Sequence, residues 1–81
     1  MNNTSDEQLI SDFLKGDYAS LEILINRYLK SVYNFIFHLI NNQQQAEDLT
    51  QETFIKVWKN LKKFNLNKNF KAWVYTLGRH V

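Results

Sequence analysis

Apolar residues recur at intervals of three and four along most of the chain, which is the period of an α-helix. No stretch alternates apolar and polar residues as a half-buried β-strand would. The first apolar stripe follows Ser5 and Gln8, whose spacing fits a capping box that satisfies free N–H groups at a helix start. Gly16 can adopt the left-handed conformation that ends this helix, and Asp17 can cap the next one. The stripe consists of Leu9, Ile10, Phe13 and Leu14.

A much longer stripe follows Asp17 and predicts one long central helix, whose apolar face supplies most of the core. The pair Asn41-Asn42 interrupts this stripe, and Asn42 can cap a third helix. Glu47 and Asp48 fall in the early turns of that helix, where the helix dipole favours anions. The long stripe consists of Leu21, Leu24, Ile25, Tyr28, Leu29, Val32, Tyr33, Ile36, Leu39 and Ile40.

Three asparagines within residues 65–69 break the helical period and predict a loop. Asn69 can cap a fourth helix, which reaches Val81 without a C-cap, so we expect the chain to be part of a longer protein. Together the stripes predict an all-α fold, a small bundle of about four helices with one long central helix, formed by residues 1–81 as one domain. The expected inward faces are Ala46, Leu49, Thr50, Thr53, Phe54, Val57, Trp58 and Leu61 on the third helix, and Phe70, Trp73, Val74, Leu77 and Val81 on the fourth.

Composition narrows the classes of function that such a bundle could serve. With 81 residues and no cysteine, the chain has room for one domain and none for disulfides, cysteine-ligated zinc or thiol catalysis. Its longest nearly apolar run, from Val32 to Ile40, is far shorter than the ~20 residues of a membrane span. The first residues also lack the basic and apolar segments of a signal peptide. We therefore expect no membrane insertion and a cytoplasmic location.

The net charge of +2 hides an uneven distribution of charge along the chain. All 8 acidic residues lie within residues 1–52, whereas residues 53–81 contain seven of the 10 cations and no acid. Such asymmetry indicates two surfaces with different partners. The alternative is that a small helical domain simply presents one basic face to water.

Residues suited to catalysis or metal binding are few. His38 lies inside the long helix and His80 near the end of the chain, without HExxH or EF-hand spacing around either. The two glycines, Gly16 and Gly78, are too far apart to form a glycine-rich phosphate loop. The sequence therefore predicts that the protein is not an enzyme and has no metal site and no cofactor.

The outward side of the third helix carries polar acceptors beside one apolar residue. An exposed isoleucine flanked by acceptors is typical of a modest protein-docking surface. Because scattered exposed apolar residues are common, an ordinary solvated face is an equal alternative. The residues of this side are Asp48, Gln51, Glu52, Ile55 and Lys59.

The acid-free C-terminal third combines cations with aromatic residues. Single-stranded nucleic acid needs both, because cations bind its phosphates and flat rings stack on its bases. Phe64 at the loop edge and Tyr75 lie off the apolar stripe. Lys71, Tyr75 and Arg79 follow at intervals of four and predict a basic–aromatic–basic row on the fourth helix. The loop asparagines add amide donors and acceptors that could read base edges.

Two runs resemble segments of bacterial RNA polymerase sigma factors, closest to the extracytoplasmic-function group. The run AEDLTQETFIKVW, from Ala46 to Trp58, is similar to the polymerase-docking segment of that group. The run FKAWVYTLGR, from Phe70 to Arg79, is similar to its promoter-melting and promoter-reading helix. The resemblance covers about residues 6–80, and its opening part includes Gly16, Asp17, Ala19, Leu21 and Tyr28.

The resemblance implies a sigma region 2 fold and specific partners. In the family, the polar face of the third helix docks on the clamp coiled coil of the polymerase β′ subunit, which implicates Asp48, Gln51, Glu52 and Ile55 here. The following loop holds a base flipped from the non-template strand of the minus-ten element, and the fourth helix contacts that strand and the upstream duplex edge. The expected DNA-binding residues are Lys56, Phe64, Asn65, Asn67, Lys68, Asn69, Lys71, Tyr75, Thr76, Arg79 and His80.

The family pattern is not matched everywhere. Family members often end the fourth helix Ala-Arg-Asn, where this chain has Gly78-Arg79-His80, and imidazole lacks the paired donor and acceptor of an amide. The family's C-terminal domain, which reads the minus-35 element, is absent from this sequence. An anti-sigma factor is a further expected partner. The alternative function is a helical interaction module that imitates a sigma domain and binds polymerase or an anti-sigma factor without promoter contact.

Overall fold

The computed structural model describes residues 4–79, and all regular structure in that range is helical. This confirms the predicted all-α bundle of about four helices, one of which is long and central. His80 and Val81, expected near the end of the fourth helix, lie outside the described residues. The helices are α1 (Asp6–Leu14), α2 (Tyr18–Ile40), α3 (Gln43–Asn60) and α4 (Phe70–Arg79), and a 3₁₀ turn (Leu61–Lys63) follows α3.

Short polar side chains cap the starts of α1, α3 and α4, as the sequence predicts. Each accepts a hydrogen bond from a backbone N–H group that has no partner within the helix. The three bonds join Gln8 N–H to Ser5 Oγ (3.1 Å), Gln45 N–H to Asn42 Oδ1 (2.9 Å) and Ala72 N–H to Asn69 Oδ1 (2.9 Å). The capping box predicted at α1 is only half formed, because the Gln8 side chain donates to Asp12 Oδ1 (2.9 Å).

The start of α2 differs from the sequence prediction. Asp17 occupies the cap position, but its side chain accepts no hydrogen bond from a backbone N–H of the helix. Its carboxylate accepts a hydrogen bond from the Ser20 hydroxyl instead (3.1 Å). The chain turns into this helix at Gly16, whose φ of +109° lies in the region that favours glycine. The helix ends at Asn41 in the left-handed conformation (φ 53°), which asparagine tolerates better than most residues.

The core surrounds α2, against which α1, α3 and α4 all pack. Thr50 and Thr53 are buried within it, and their hydroxyls donate to the carbonyl oxygens of Ala46 (2.6 Å) and Leu49 (2.7 Å) one turn earlier. Their polar atoms are therefore satisfied inside α3. The buried apolar residues are Leu9, Ile10, Phe13, Leu24, Val32, Ile36, Ala46, Phe54, Val57, Leu61, Phe70 and Val74.

On α1 and α2, three residues of the predicted apolar stripes face outward. Leu14 and Leu29 are each more than two fifths exposed, and Leu39 near the end of α2 is 61% exposed. The helix α2 is 23 residues long, and the shorter helices packed on it cover only part of its apolar stripe. Sequence periodicity identifies this helix correctly but predicts a wider core face than the packing uses.

The C-terminal end of α4 lies close to both α2 and α3 at Gly78, which is buried. A Cβ atom at this position would lie 3.6 Å from Ile36 Cδ1 and 3.6 Å from Thr53 Oγ1. These are ordinary van der Waals distances, so α4 packs on both helices at this position. The next residue, Arg79, is exposed, as is Lys71 near the start of α4.

Candidate functional site: an acidic-polar face and a basic-aromatic face

The four predicted docking residues form one exposed stripe on α3, which we name the acidic-polar face. Their spacing of three and four places them on the side of α3 that lies away from the buried Val57. Gln51 and Glu52 form no side-chain hydrogen bond within residues 4–79, and Asp48 accepts one from Gln44 Nε2 (3.2 Å). Most of the polar groups are therefore free to bind a partner. The residues are Asp48, Gln51, Glu52 and Ile55.

A shallow apolar groove between α2 and α3 lies beside the acidic-polar face. Ile55, which is 49% exposed, belongs to both, and Gln51 lies at the edge of the groove. The groove joins the polar acceptors of α3 to an apolar surface, which is the combination that protein interfaces use. Its lining residues are Leu21, Ile25, Leu29, Gln51, Phe54, Ile55 and Trp58.

Trp58 corrects the sequence prediction, which placed it in the core. It is 53% exposed, because position 58 of α3 faces the cleft that α1 and the start of α2 leave open. Phe13 and Tyr18 line the same cleft, together with Lys59 and Lys62. The large indole therefore extends the apolar groove beyond Ile55. The exposure of Trp58 could not be predicted from the sequence, because a tryptophan at this spacing is typical of a core position.

The loop of residues 65–69 is exposed throughout and is held by bonds within itself. The Asn67 N–H donates to Asn65 Oδ1 (2.9 Å), and the Lys68 N–H donates to the Asn65 carbonyl oxygen (2.9 Å). Asn65 and Asn69 thus use their side-chain oxygens to shape the loop and to cap α4. The side chain of Asn67 forms no hydrogen bond within residues 4–79. Its whole amide is free to meet a donor and an acceptor on a base edge.

An aromatic cluster joins the two ends of this loop. Phe64 precedes the loop and Phe70 follows it, and their ring centroids are 5.7 Å apart. Trp73 lies 4.8 Å from Phe64 and 5.8 Å from Phe70. Phe70 is buried, whereas Phe64 and Trp73 are partly exposed. Phe64 is thus more fixed than its place off the apolar stripe suggests, and part of its surface remains open beside the loop.

The predicted row on α4 is present, and a contact with α2 supports it. The Lys71 ammonium lies 5.9 Å from the centroid of the Tyr75 ring, within the range of a cation–π interaction. The Tyr75 ring stacks on Phe35 of α2, with centroids 5.0 Å apart and planes inclined by 25°. Lys71 and Arg79 are exposed, whereas Tyr75 is half-buried. The contact of Phe35 with Tyr75 could not be predicted from the sequence, because the two residues lie in different helices.

The remaining predicted DNA contacts lie in different places. Thr76 is exposed on α4, and its hydroxyl donates to the Ala72 carbonyl oxygen (3.0 Å). Lys56 is half-buried on α3, and no described contact joins it to the α4 row. His80 lies outside the described residues, so its relation to this row is not defined. We name as the basic-aromatic face the loop with Phe64, Lys71, Tyr75, Thr76 and Arg79.

In the part of the chain that the structure describes, no ion pair neutralises the positive charge of the basic-aromatic face. Over residues 4–79 the single ion pair joins Arg27 to Asp6 (2.8 Å), which belong to α2 and α1. The cations Lys68, Lys71 and Arg79 therefore have no carboxylate partner in that range, which leaves their charge available to phosphate groups.

Two further features bear on the class of protein. Among the residues that the structure describes, no group of three or more His, Cys, Asp or Glu side chains is arranged to hold a metal ion. In the same range, no helix combines the length and apolar character that a membrane crossing requires.

Fold and site together define a small helical domain with one polar and apolar surface suited to a protein and one basic surface suited to nucleic acid. The chain belongs to the sigma-70 region 2 family, whose profile matches residues 24–81. This match includes most of α2 and all of α3 and α4, and it confirms the family expected from the sequence.

The relatives include sigma factors of the extracytoplasmic-function (ECF) group. The chain is similar to the ECF RNA polymerase sigma factor SigW of Bacillus subtilis (strain 168), with 28% identity over 72 residues, covering 89% of this chain and 38% of that protein. It is also similar to the RNA polymerase sigma-H factor of Pseudomonas aeruginosa, with 27% identity over 78 residues, covering 96% and 40% respectively. The chain thus spans about two fifths of the length of these curated relatives.

A solved structure shows the same fold. It is the NMR structure of the complex formed by an engineered region 2 of sigmaE with GTAAAA. The two folds superpose with a TM-score of 0.88 at 27% sequence identity, and the match covers 99% of this chain and 84% of the other.

Proposed function

We propose that this chain is the region 2 domain of an extracytoplasmic-function sigma factor and acts in the initiation of transcription. The acidic-polar face docks on the clamp coiled coil of the β′ subunit of RNA polymerase. The basic-aromatic face binds the non-template strand of the minus-ten promoter element and holds it open. Residues 1–81 form one such domain, which works in the cytoplasm beside its two partners.

One observation carries this proposal: the region 2 fold presents the two faces as separate surfaces of different chemistry. The acidic-polar face offers exposed acceptors and apolar groups on α3. The basic-aromatic face offers partly exposed rings and cations that have no carboxylate partner among residues 4–79, on α4 and its preceding loop. The likeness to a region 2 domain that forms a complex with GTAAAA supports a nucleic-acid role for the second face.

The docking surface extends beyond the four residues that the sequence indicates. We include Trp58, because its half-exposed indole continues the apolar groove beside Gln51 and Ile55. Aromatic residues often supply much of the free energy of binding at protein interfaces, when surrounding polar groups exclude water from them. Asp48 and Glu52 would then provide charge complementarity to basic residues on the partner.

Strand opening by this domain depends on binding and involves no covalent chemistry. Stacking a base on a protein ring stabilises the open strand by roughly 1–3 kcal/mol. Removing a base from the duplex stack costs a few kcal/mol. At least two captured bases, together with phosphate contacts, are therefore needed. We assign the stacking to the partly exposed rings of Phe64 beside the loop and Tyr75 on α4, although Tyr75 also stacks on Phe35. We assign the phosphate contacts to Lys68, Lys71 and Arg79.

The docking half of the proposal is tested by replacing adjacent polar residues on α3. We expect Gln51→Ala with Glu52→Ala to abolish capture of the isolated β′ clamp coiled coil in a pull-down and to leave the helical circular dichroism spectrum unchanged. Glu7→Ala with Gln8→Ala is the matched control, since it removes the same two residue types from exposed positions on α1. Undiminished capture by the α3 variant would refute this docking site.

A module that imitates a sigma domain would share the docking face, so docking alone does not separate the two functions. Strand binding that depends on Lys71 and Arg79 separates them, because the imitating module makes no promoter contact. An anti-sigma factor remains a predicted partner. The exposed apolar groove with Ile55 and Trp58 is the surface that we expect it to cover.

A further inference from the structure

Asp6 in the first turn of α1 binds two adjacent residues in the middle of α2. One carboxylate oxygen accepts a hydrogen bond from Arg27 Nη1 (2.8 Å), and the other accepts one from the Tyr28 hydroxyl. The side chains of Arg27 and Asp6 are only 27% and 18% exposed, so this ion pair is partly shielded from water. The arrangement fixes the Tyr28 side chain from its hydroxyl end.

The ring of Tyr28 contacts the aromatic cluster beside the loop. Its centroid lies 5.6 Å from that of Phe70, the first residue of α4. Phe70 in turn contacts Phe64 at 5.7 Å. A continuous series of contacts therefore runs from α1, through Tyr28, to the residues on both sides of the loop.

Among the described residues, few contacts other than those of Phe64 and Phe70 hold the loop in place. All its residues are exposed, and its described hydrogen bonds connect it only to itself and to the first turns of α4. Its position relative to the basic row of α4 therefore depends on its two ends, Phe64 and Phe70.

We propose that Tyr28, held by Asp6, is a positioning residue for the loop of residues 65–69. It sets the position of Phe70 and Phe64, and thereby the placement of Asn67 and Lys68 relative to Lys71. The effect on strand binding rests on the proposed function, whereas the effect on the loop does not. Burial of the phenol and its hydrogen bond to Asp6 raise the pKa of Tyr28 to about 12, so the hydroxyl remains a donor into the alkaline range.

Four variants test this role. Tyr28→Leu removes the ring and the hydroxyl, Tyr28→Phe removes only the hydroxyl, and Asp6→Ala removes the acceptor. The matched control is Tyr33→Leu, which removes a partly buried tyrosine ring from the same helix, where it stacks on Phe37 at 6.0 Å. Each variant is compared with the wild type at a temperature at which circular dichroism shows it fully folded.

Two measurements are made on each variant. The first is the backbone amide chemical shifts of residues 65–69 in the free protein. The second is the affinity for a fluorescein-labelled single-stranded DNA of randomised sequence. We expect Tyr28→Leu and Asp6→Ala to shift the loop amides and to weaken strand binding by about fivefold or more, which corresponds to one stacked base. Tyr28→Phe should shift the amides in the same direction by less, and Tyr33→Leu should change neither property.

The outcomes separate this inference from the proposed function. Unchanged loop amides in Tyr28→Phe and Asp6→Ala overturn the positioning role, even if Tyr28→Leu does not fold. Equal shifts in Tyr33→Leu also overturn it, because they show a general response to a lost ring. If the wild type binds no single strand, the proposed function fails, and the loop amides alone decide the role of Tyr28.

Discussion

Four asparagines that lie before α3 and α4 differ in what their side-chain oxygens bind. Asn42 and Asn69 accept hydrogen bonds from the first turns of α3 and α4. Asn65 closes a turn inside the loop. Asn67 has no such bond within the described residues and is exposed. The composition of the loop therefore reflects folding and recognition together, and single substitutions should separate the two.

Replacing Asn69 and Asn67 separately should affect different properties. Asn69→Ala removes the cap of α4, and we expect the free energy of unfolding to fall by about 1 kcal/mol. Asn67→Ala removes an exposed side chain without a hydrogen bond, so the free energy of unfolding should change by less than about 0.5 kcal/mol. Single-strand affinity should fall in this second variant. Urea denaturation and fluorescence anisotropy measure these effects, and similar losses of stability in both variants would contradict the assignment.

The Tyr28 hydroxyl should make stability depend on pH in the alkaline range. Burial and the hydrogen bond to Asp6 raise the pKa of Tyr28 from 10.0 to about 12. Between these values the folded protein holds the phenolic proton more tightly than the unfolded chain, so the stabilising contribution is complete below pH 10.0 and is lost as the pH rises through about 12. Denaturation of wild type and Tyr28→Phe across this range should show their stability difference shrinking. A constant difference would contradict the assignment.

At the scale of helices, the residue at which a helix begins could be predicted from the sequence more reliably than the side of the helix that is buried. A capping bond joins residues three positions apart, so Ser5, Asn42 and Asn69 could be identified without knowing the fold. Which side of α3 is covered depends on where α1 and α2 lie, and the sequence pattern does not contain that information. Trp58 therefore had the spacing of a core residue and yet faces an open cleft. The stacking of Tyr75 on Phe35 was missed for the same reason.

Replacing Gly78 and Gly16 with alanine should change the free energy of unfolding in opposite directions. At Gly78 an added Cβ would make ordinary contacts, at 3.6 Å from Ile36 and Thr53, and alanine is the better helix former. We expect Gly78→Ala to raise the free energy of unfolding by about 0.5–1 kcal/mol. Gly16→Ala should lower it by about 1 kcal/mol or more, because φ at Gly16 is +109°. Urea denaturation measures both changes, and a loss of stability in Gly78→Ala would show that α4 packs more tightly than described.

At the scale of the whole molecule, the division of charge along the sequence is only partly a division between surfaces. Lys59 and Lys62 belong to the acid-free C-terminal third, yet they line the cleft beside Trp58 with Phe13 and Tyr18. They therefore lie on the docking side of the domain. The cations of the basic-aromatic face are Lys68, Lys71 and Arg79. This assignment limits how many phosphates the domain can contact, and the number of contacts is accessible to measurement.

The most direct test of the account is the salt dependence of single-strand binding. It is measured by fluorescence anisotropy with a labelled DNA of randomised sequence. For single strands, each phosphate contact contributes about 0.7 to the slope of log affinity against log salt. Lys71→Ala with Arg79→Ala removes two contacts and should reduce the magnitude of that slope by about 1.4. Lys15→Ala with Lys30→Ala removes the same charge from exposed positions outside the face and should leave the slope unchanged. An unchanged slope in the α4 variant, or an equal reduction in both variants, would contradict the account.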